Sequence, residues 1–115
     1  METSHDAFQD LVVEALEGLP TWVLDRLDNV EVLVENEPPP DQPNLLGLYE
    51  GIPLTNRTSG YFGVLPDRIT LFRSSIEAVA RDKDALKHLI GDTVVHELAH
   101  FFGISDDRLR ELGRG

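Results

Sequence analysis

The sequence predicts one domain of the α+β class, from the order of its elements and from its size. A helical apolar pattern near the N-terminus is followed by short strand patterns and then by more helices, which favours α+β over a doubly wound parallel sheet. The chain has 115 residues, close to the usual size of one domain, so we expect residues 1–115 to share one core. Hydrophobic residues at 41% and charged residues at 27% are typical of a soluble globular protein.

The N-terminal region is expected to form a helix and a shorter helical piece. Ser4 is suited to cap the first helix, and Gly18 and Pro20 are expected to end it. The apolar residues between them follow helical spacing: Phe8, Leu11, Val12, Ala15 and Leu16. The shorter piece is expected to run through Trp22 and Leu27.

Three strands are predicted in the middle of the chain. Val30–Glu35 alternates, with its valines on one face, and Leu45–Glu50 is a second strand. Four prolines within residues 36–43 predict an exposed, extended loop between them. Thr55–Asp67 has no apolar period, which predicts a long surface loop, and Arg68–Arg73 has the β-branched and aromatic residues of a strand.

The last third of the chain is expected to be helical. Ser74 and Glu77 have the spacing of a capping box, which predicts a short helix after the third strand. The longest helix is expected to begin at Asp82 or Asp84 and to continue until Gly103. A final helical turn or two is expected beyond it.

The charge is concentrated in the first half of the chain. Residues 1–50 carry twelve acidic residues and one basic residue, Arg26, whereas residues 51–115 carry nine of each, so the net charge of −11 belongs to the first half. Because this field repels phosphates and anionic lipids, we expect no nucleic acid partner and no membrane partner. No apolar run approaches the length of a bilayer span, and the N-terminus lacks the features of a signal peptide, so a cytoplasmic protein is expected.

The residues that carry chemistry lie on the longest predicted helix. His96 and His100 are four residues apart, so they share a helix face and their ring nitrogens can reach one ion. Glu97 is close enough to hydrogen-bond a water molecule on that ion. Gly103 allows the chain to bend back, which would carry Asp106 towards the histidines. Because the sequence has no cysteine, a metal here must be held by His, Asp or Glu.

The pattern HExxHxxGxxD resembles that of a known enzyme family. HELAHFFGISD resembles the zinc-binding signature of the metzincin metallopeptidases, with Asp in place of their third His. The chain is also similar to the small bacterial zincin-like metallopeptidases, in the segments NVEVLVENEPP, GLYEGIPLTNR, LPDRITLFR and TVVHELAHFFGISDDRL. This resemblance implies a compact zincin-like domain, in which a small mixed β-sheet packs against helices that include a long active-site helix. It also implies zinc binding by His96, His100 and Asp106, and a catalytic role for Glu97.

One departure separates this chain from the metzincins. They place a methionine-containing turn beneath the zinc, whereas the single methionine here is Met1 and nine residues follow Asp106. The substrate cleft is therefore expected to lack one wall. Asp92 and Thr93 lie one turn before His96, so either is a candidate to orient its ring.

The predicted function is hydrolysis of a peptide or protein substrate by a zinc-activated water molecule, with Glu97 as general base. Arg68–Arg73 is the expected substrate-binding edge. The alternative is a zinc-binding interaction or regulatory protein that does not cleave. A structural zinc site is less favoured, because such sites usually have four protein ligands. A water molecule in place of Asp106 also stays open.

Overall fold

The computed structural model describes residues 1–51 and 66–111, without the side chains of Asp106, Leu109 and Arg110. The predicted loop over Thr55–Asp67 falls almost entirely outside the described residues. The described elements are, in chain order, α1 His5–Glu17, α2 Thr21–Arg26, β1 Val30–Glu35, β2 Gly47–Glu50, β3 Asp67–Phe72, α3 Arg73–Val79, α4 Lys83–Phe102 and α5 Asp106–Glu111.

The three described strands form one mixed sheet in the order β1-β3-β2. β1 runs parallel to β3, with Val32 opposite Ile69, and β2 runs antiparallel to it, with Tyr49 opposite the same residue. β3 is therefore paired on both sides. The expectation that Arg68–Arg73 forms the substrate-binding edge is wrong, because an added peptide strand needs main-chain groups that no neighbouring strand already binds.

The core lies between one face of this sheet and the helices. Val32 and Val34 share that face with Ile69 and Leu71, which are both fully buried. Helices α1 and α4 contact each other across the core, and their largest fully buried side chains are Phe8, Leu86, Ile90, Val94, Val95 and Leu98. This arrangement of helices on a small mixed sheet confirms the predicted α+β class. That residues 1–115 form a single domain stays a prediction.

Helix α4, of 20 residues, begins and ends as the sequence predicts. At its start, Oδ1 of Asp82 accepts a hydrogen bond of 2.8 Å from the main-chain N–H of Ala85. At its end, Gly103 has a φ of 71°, and its N–H bonds to the carbonyl groups of Ala99 and His100. Glycine adopts this left-handed conformation without the steric cost that a Cβ atom adds, so Gly103 ends the helix at a defined residue.

The predicted capping box at the start of α3 is wrong. The helix begins at Arg73, and its N-cap residue makes no side-chain capping bond. The hydroxyl of Ser74 instead donates to Oε2 of Glu37 at 2.9 Å. The buried carboxylate of Glu77 accepts from the main-chain N–H and the hydroxyl of Thr3. Both side chains therefore form hydrogen bonds with residues that are distant in the sequence.

Within residues 1–51 and 66–111, no helix is both long enough and apolar enough to cross a lipid bilayer.

Candidate active site

The two histidines of the motif lie in the last two turns of α4, where His96 is partly buried and His100 is exposed. Nδ1 of His96 lies 2.8 Å from the main-chain carbonyl oxygen of Asp92. Because a carbonyl oxygen can only accept, Nδ1 carries the proton in this contact, and the lone pair of the neutral ring is on Nε2. This contact fixes the ring and leaves a nitrogen suited to bind a metal ion, as in many metal-binding histidines.

Glu97 lies beside His96 and contacts strand β2. Its Oε1 accepts a hydrogen bond of 3.2 Å from the main-chain N–H of Tyr49. This contact joins the active-site helix to the sheet at the residue for which the sequence predicts a catalytic role.

The outer edge of β2 faces this part of α4. The N–H of Phe72 donates to the carbonyl of Leu46, so this antiparallel pair exchanges main-chain bonds between β3 and β2. Because such pairs alternate, Gly47 and Tyr49 direct their main-chain groups away from β3. The bond from Tyr49 to Glu97 agrees with that direction. Within the described sheet, the edge next to the motif therefore belongs to β2.

A groove of about 360 Å³ runs between this edge and α4. Its walls combine apolar side chains with the two motif residues, and its lining is Asn44, Leu45, Leu46, Gly47, Leu89, Asp92, Thr93, His96 and Glu97. Strand and helix approach closely here, because a Cβ atom on Gly47 would lie 2.8 Å from Cγ2 of Thr93. The groove thus brings His96 and Glu97 to one surface beside β2.

The side chain of Tyr49 has a hydrogen-bond partner of its own. Its hydroxyl donates to Oδ2 of Asp67 at 2.8 Å. Burial raises the pKa of the Tyr49 phenol well above its usual range, and the hydrogen bond to Asp67 and the negative charge of that carboxylate raise it further. At neutral pH this side chain is therefore a hydrogen-bond donor and does not act as a base.

Phe101 and Phe102 lie at the surface next to the motif. Each side chain is 50% exposed. Phe101 stacks on Tyr49 with 4.0 Å between the ring centroids, and Phe102 contacts the same ring edge-on at 6.4 Å. Both residues follow the spacing of the buried side chains of α4, but at this end of the helix they pack on Tyr49 and not on the core.

The three expected metal ligands are His96, His100 and Asp106. Among the described side chains, no group of three His, Asp or Glu residues is placed to hold a metal ion together. The predicted set includes Asp106, whose side chain is outside the description and whose main chain begins α5. Two imidazoles and a carboxylate are nitrogen and oxygen ligands that zinc accepts. The chemistry of His96, His100 and Asp106 therefore fits zinc, and their ligation stays a prediction.

Asp92 orients His96 through its main chain. Its carbonyl oxygen receives the bond from the His96 ring, whereas its carboxylate lies 3.1 Å from Nε2 of His88. The hydroxyl of Thr93 donates to the carbonyl of Leu89 at 2.7 Å. Of the two candidates to orient the ring, the structure therefore supports Asp92.

Sequence reasoning missed the groove and the part that β2 plays in it. Gly47 carried a usable signal, because a glycine inside a strand pattern often marks close approach of another backbone or helix. The bond from Tyr49 to Glu97 had no such signal. It depends on which strand lies at the edge of the sheet, and local sequence does not determine strand order.

A small mixed sheet packed against helices, one of which carries HExxH, is the arrangement that the resemblance in the sequence implies. The sequence matches the family model described as Zincin-like metallopeptidase over residues 27–115, which is most of the chain. The protein therefore belongs to the zincin-like metallopeptidase family. This membership confirms the resemblance seen in the sequence and supports hydrolase and zinc chemistry at the level of the family.

A solved structure supports the same fold. The chain is similar to a conserved hypothetical protein from Thermus thermophilus, with 27% sequence identity and a TM-score of 0.56. The similarity covers 87% of this chain and 94% of that chain. No curated protein matches the sequence.

Proposed function

We propose that the protein is a zinc-dependent peptidase in which Glu97 is the general base and His96, His100 and Asp106 hold the metal ion. The observation that carries this proposal is that His96 and Glu97 together line a groove bordered by β2, an edge strand of the described sheet. Family membership supports the same chemistry.

The contacts of His96 support its role as a ligand. The bond from Nδ1 to the carbonyl of Asp92 leaves the Nε2 lone pair for the metal. When bound, zinc would polarise the scissile carbonyl and lower the pKa of a nearby water molecule. His100 and Asp106 would complete a set of three protein ligands, which leaves a position open to water.

The edge of β2 is the proposed binding site for the substrate backbone. Gly47 lines the groove, and both Gly47 and Tyr49 direct their main-chain groups away from β3, so an extended peptide can pair with them as an added strand. This pairing replaces the expectation that placed the substrate on the third strand. The N–H of Tyr49 would then donate to the peptide, which releases the carboxylate of Glu97 from its contact.

Glu97 would move one proton during the reaction. Its carboxylate removes a proton from the attacking water molecule as the water oxygen bonds to the scissile carbonyl carbon. The same proton then passes to the amine nitrogen as the carbon–nitrogen bond breaks. The products are a new carboxylic acid, which keeps the second proton of the water molecule, and a new amine, so atoms and charge balance.

The decisive experiment compares the wild type with Glu97→Gln. Zinc content is measured by mass spectrometry, and hydrolysis is measured on a mixture of unstructured peptides with defined zinc loading. We expect about one zinc ion per chain in both proteins and a loss of hydrolysis of about 100-fold or more in the variant. Glu14→Gln, on the exposed surface of α1, is the matched control.

Two results would contradict the proposal in different ways. If the wild type binds zinc but cleaves no peptide, a non-catalytic zinc-binding protein is the better interpretation. If Glu97→Gln cleaves as fast as the control, Glu97 is not the base, and the observed hydrolysis has another source.

A further inference from the structure

The second notable edge of the described sheet is the outer edge of β1. The N–H of Asp67 donates to the carbonyl of Asn29 at 3.2 Å, so Asn29 and every second residue after it direct their main-chain groups to β3. In this parallel ladder, Val32 and Val34 direct their main-chain N–H and carbonyl groups to the opposite side. No described main-chain group bonds to them there. Such an edge is a template for an added strand.

An apolar groove of about 280 Å³ lies next to this edge, between β1 and α1. Its lining is Gln9, Val12, Val13, Leu16, Val32 and Val34. Val13 is 55% exposed, which is unusual for a valine that lies beside the core. A bond of 3.1 Å between Nδ1 of His5 and Oδ1 of Asn36 holds the start of α1 near the end of β1. An added strand would therefore extend the sheet and cover the exposed valine of α1.

The face of β1 that points away from the core indicates which charge a suitable partner would carry. Glu31 and Glu35 are exposed on that face, and α1 contributes four further exposed acids: Asp6, Asp10, Glu14 and Glu17. The single basic residue in positions 1–50 is Arg26. Opposite charges in neighbouring strands stabilise pairing, so Lys or Arg beside Glu31 and Glu35 would favour an added strand.

The same charges argue against a second copy of this chain at the edge. An antiparallel pair of β1 strands would place the glutamates of one copy near those of the other, and like charges in such positions destabilise the pairing. The net charge of −11 adds repulsion between whole molecules. A basic partner is not repelled by these glutamates or by the net charge of the molecule.

We propose that the outer edge of β1 binds an extended segment of a basic partner protein, in which apolar residues alternate with Lys or Arg. The apolar side chains enter the groove over Val13 and Leu16. The basic side chains lie on the opposite face, beside Glu31 and Glu35. β1 and β2 are opposite edges of the described sheet, so this surface is separate from the candidate active site and does not depend on zinc or catalysis.

The test uses synthetic peptides and the complete protein. One peptide alternates valine with lysine over seven residues, a second has glutamate in place of lysine, and a third contains the lysines and valines in separate blocks. Binding is followed by two-dimensional nitrogen-15 NMR and by hydrogen exchange. We expect the alternating basic peptide to shift the resonances of Val13, Val32 and Val34 and to slow exchange of the Val32 and Val34 amides by about tenfold or more.

A charge-reversed variant provides the sharpest control. Glu31→Lys with Glu35→Lys changes two exposed side chains, so the fold is expected to persist, and the preference should change from the lysine peptide to the glutamate peptide. Val13→Asp should weaken binding of the original basic peptide, because it places a charge in the apolar groove.

Four outcomes would overturn the proposal. The first is equal binding of the block peptide, which indicates unspecific attraction between charges. The second is a response confined to β2 and α4, which indicates the candidate active site. The third is protection of Val32 and Val34 that rises with protein concentration alone, which indicates a second copy. The fourth is no response to the basic peptide at about 1 mM, the weak end of ordinary binding.

Discussion

The main-chain N–H of Tyr49 donates a hydrogen bond of 3.2 Å to Oε1 of Glu97, so the candidate general base rests against the edge strand. The same N–H is the group that an added peptide strand would require. Substrate binding and release of the Glu97 carboxylate are therefore coupled in the proposed mechanism, since one N–H cannot bond fully to both acceptors. The side chain of Tyr49 is fixed by Asp67 on one side and by Phe101 on the other.

The first prediction concerns ionisation of Tyr49. In a Tyr61→Phe background, Tyr49 is the only tyrosine, and its absorbance can be titrated against pH. We expect the midpoint to lie above that of a solvent-exposed tyrosine, because burial and Asp67 raise the pKa of the phenol. Asp67→Asn should lower the midpoint, since it removes the charge and keeps an acceptor. Asp41→Asn, at an exposed position, should leave it unchanged.

The sign of the associated stability effect follows from the raised pKa. The folded protein holds the Tyr49 proton more tightly than the unfolded chain does, so its contribution is complete below about pH 10, the ordinary range of tyrosine. The contribution is lost as the pH rises through the folded-state pKa. A titration midpoint at the value of an exposed tyrosine would contradict the contact between Tyr49 and Asp67.

The second prediction concerns the close approach of Gly47 to α4. Gly47→Ala should destabilise the fold by roughly 1 to 3 kcal/mol, the usual range for overpacking, because the new Cβ would lie 2.8 Å from Cγ2 of Thr93 and 3.2 Å from the carbonyl of Thr70. Urea unfolding measures the cost. Gly18→Ala is the control, since its nearest contact would be 3.7 Å.

A double-mutant cycle tests the cause. Thr93→Ser removes Cγ2 but keeps the hydroxyl that donates to Leu89. In that background Gly47→Ala should cost less than in the wild type, although the contact with the main chain of Thr70 prevents full recovery. Strictly additive costs would show that Thr93 does not limit the space at Gly47.

Several elements could be predicted because their signals are local. The helix capped by Ser4, the alternating valines of β1 and the glycine at the end of α4 each depend on a few neighbouring residues. HExxH is equally local, since a spacing of four residues places both histidines on one face of a helix. Long-range pairing has no such signal. β3 occupies the central position because it pairs with strands that are distant in the chain. The hydrogen bonds from Ser74 to Glu37, from Thr3 to Glu77 and from Tyr49 to Glu97 also join residues that lie far apart in the chain.

The third prediction concerns Gly103. Its φ of 71° is unfavourable for residues with a Cβ atom, whereas the space around that position is open. Gly103→Ala should therefore cost roughly 1 to 2 kcal/mol from backbone conformation alone. Thermal unfolding measures the loss. Gly18→Ala is again a suitable control because Gly18 has an ordinary φ of −88°. Equal stability of the two variants would argue against a left-handed residue at the end of α4.

The fourth prediction concerns the third metal ligand. Asp106→Asn should weaken zinc binding more than Asp107→Asn, because the motif spacing selects Asp106 and α5 begins at that residue. Loss of an outer-sphere contact to a metal ligand typically costs about 10- to 100-fold in affinity, so loss of a direct ligand should cost at least about 100-fold. Competition with a chromogenic chelator at constant pH measures both variants and the wild type.

The pH dependence of zinc binding separates true ligation from a general effect of acidic charge. Protons compete with zinc for imidazole nitrogens, so wild-type affinity should fall between about pH 7 and about pH 5. His100→Ala should have weak affinity throughout that range, whereas His88→Ala should follow the wild type because His88 lies two turns before the motif. If Asp106→Asn and Asp107→Asn bind zinc equally, a water molecule or another residue is the third ligand. If wild-type affinity is constant from about pH 7 to about pH 5, the two histidines are not the ligands.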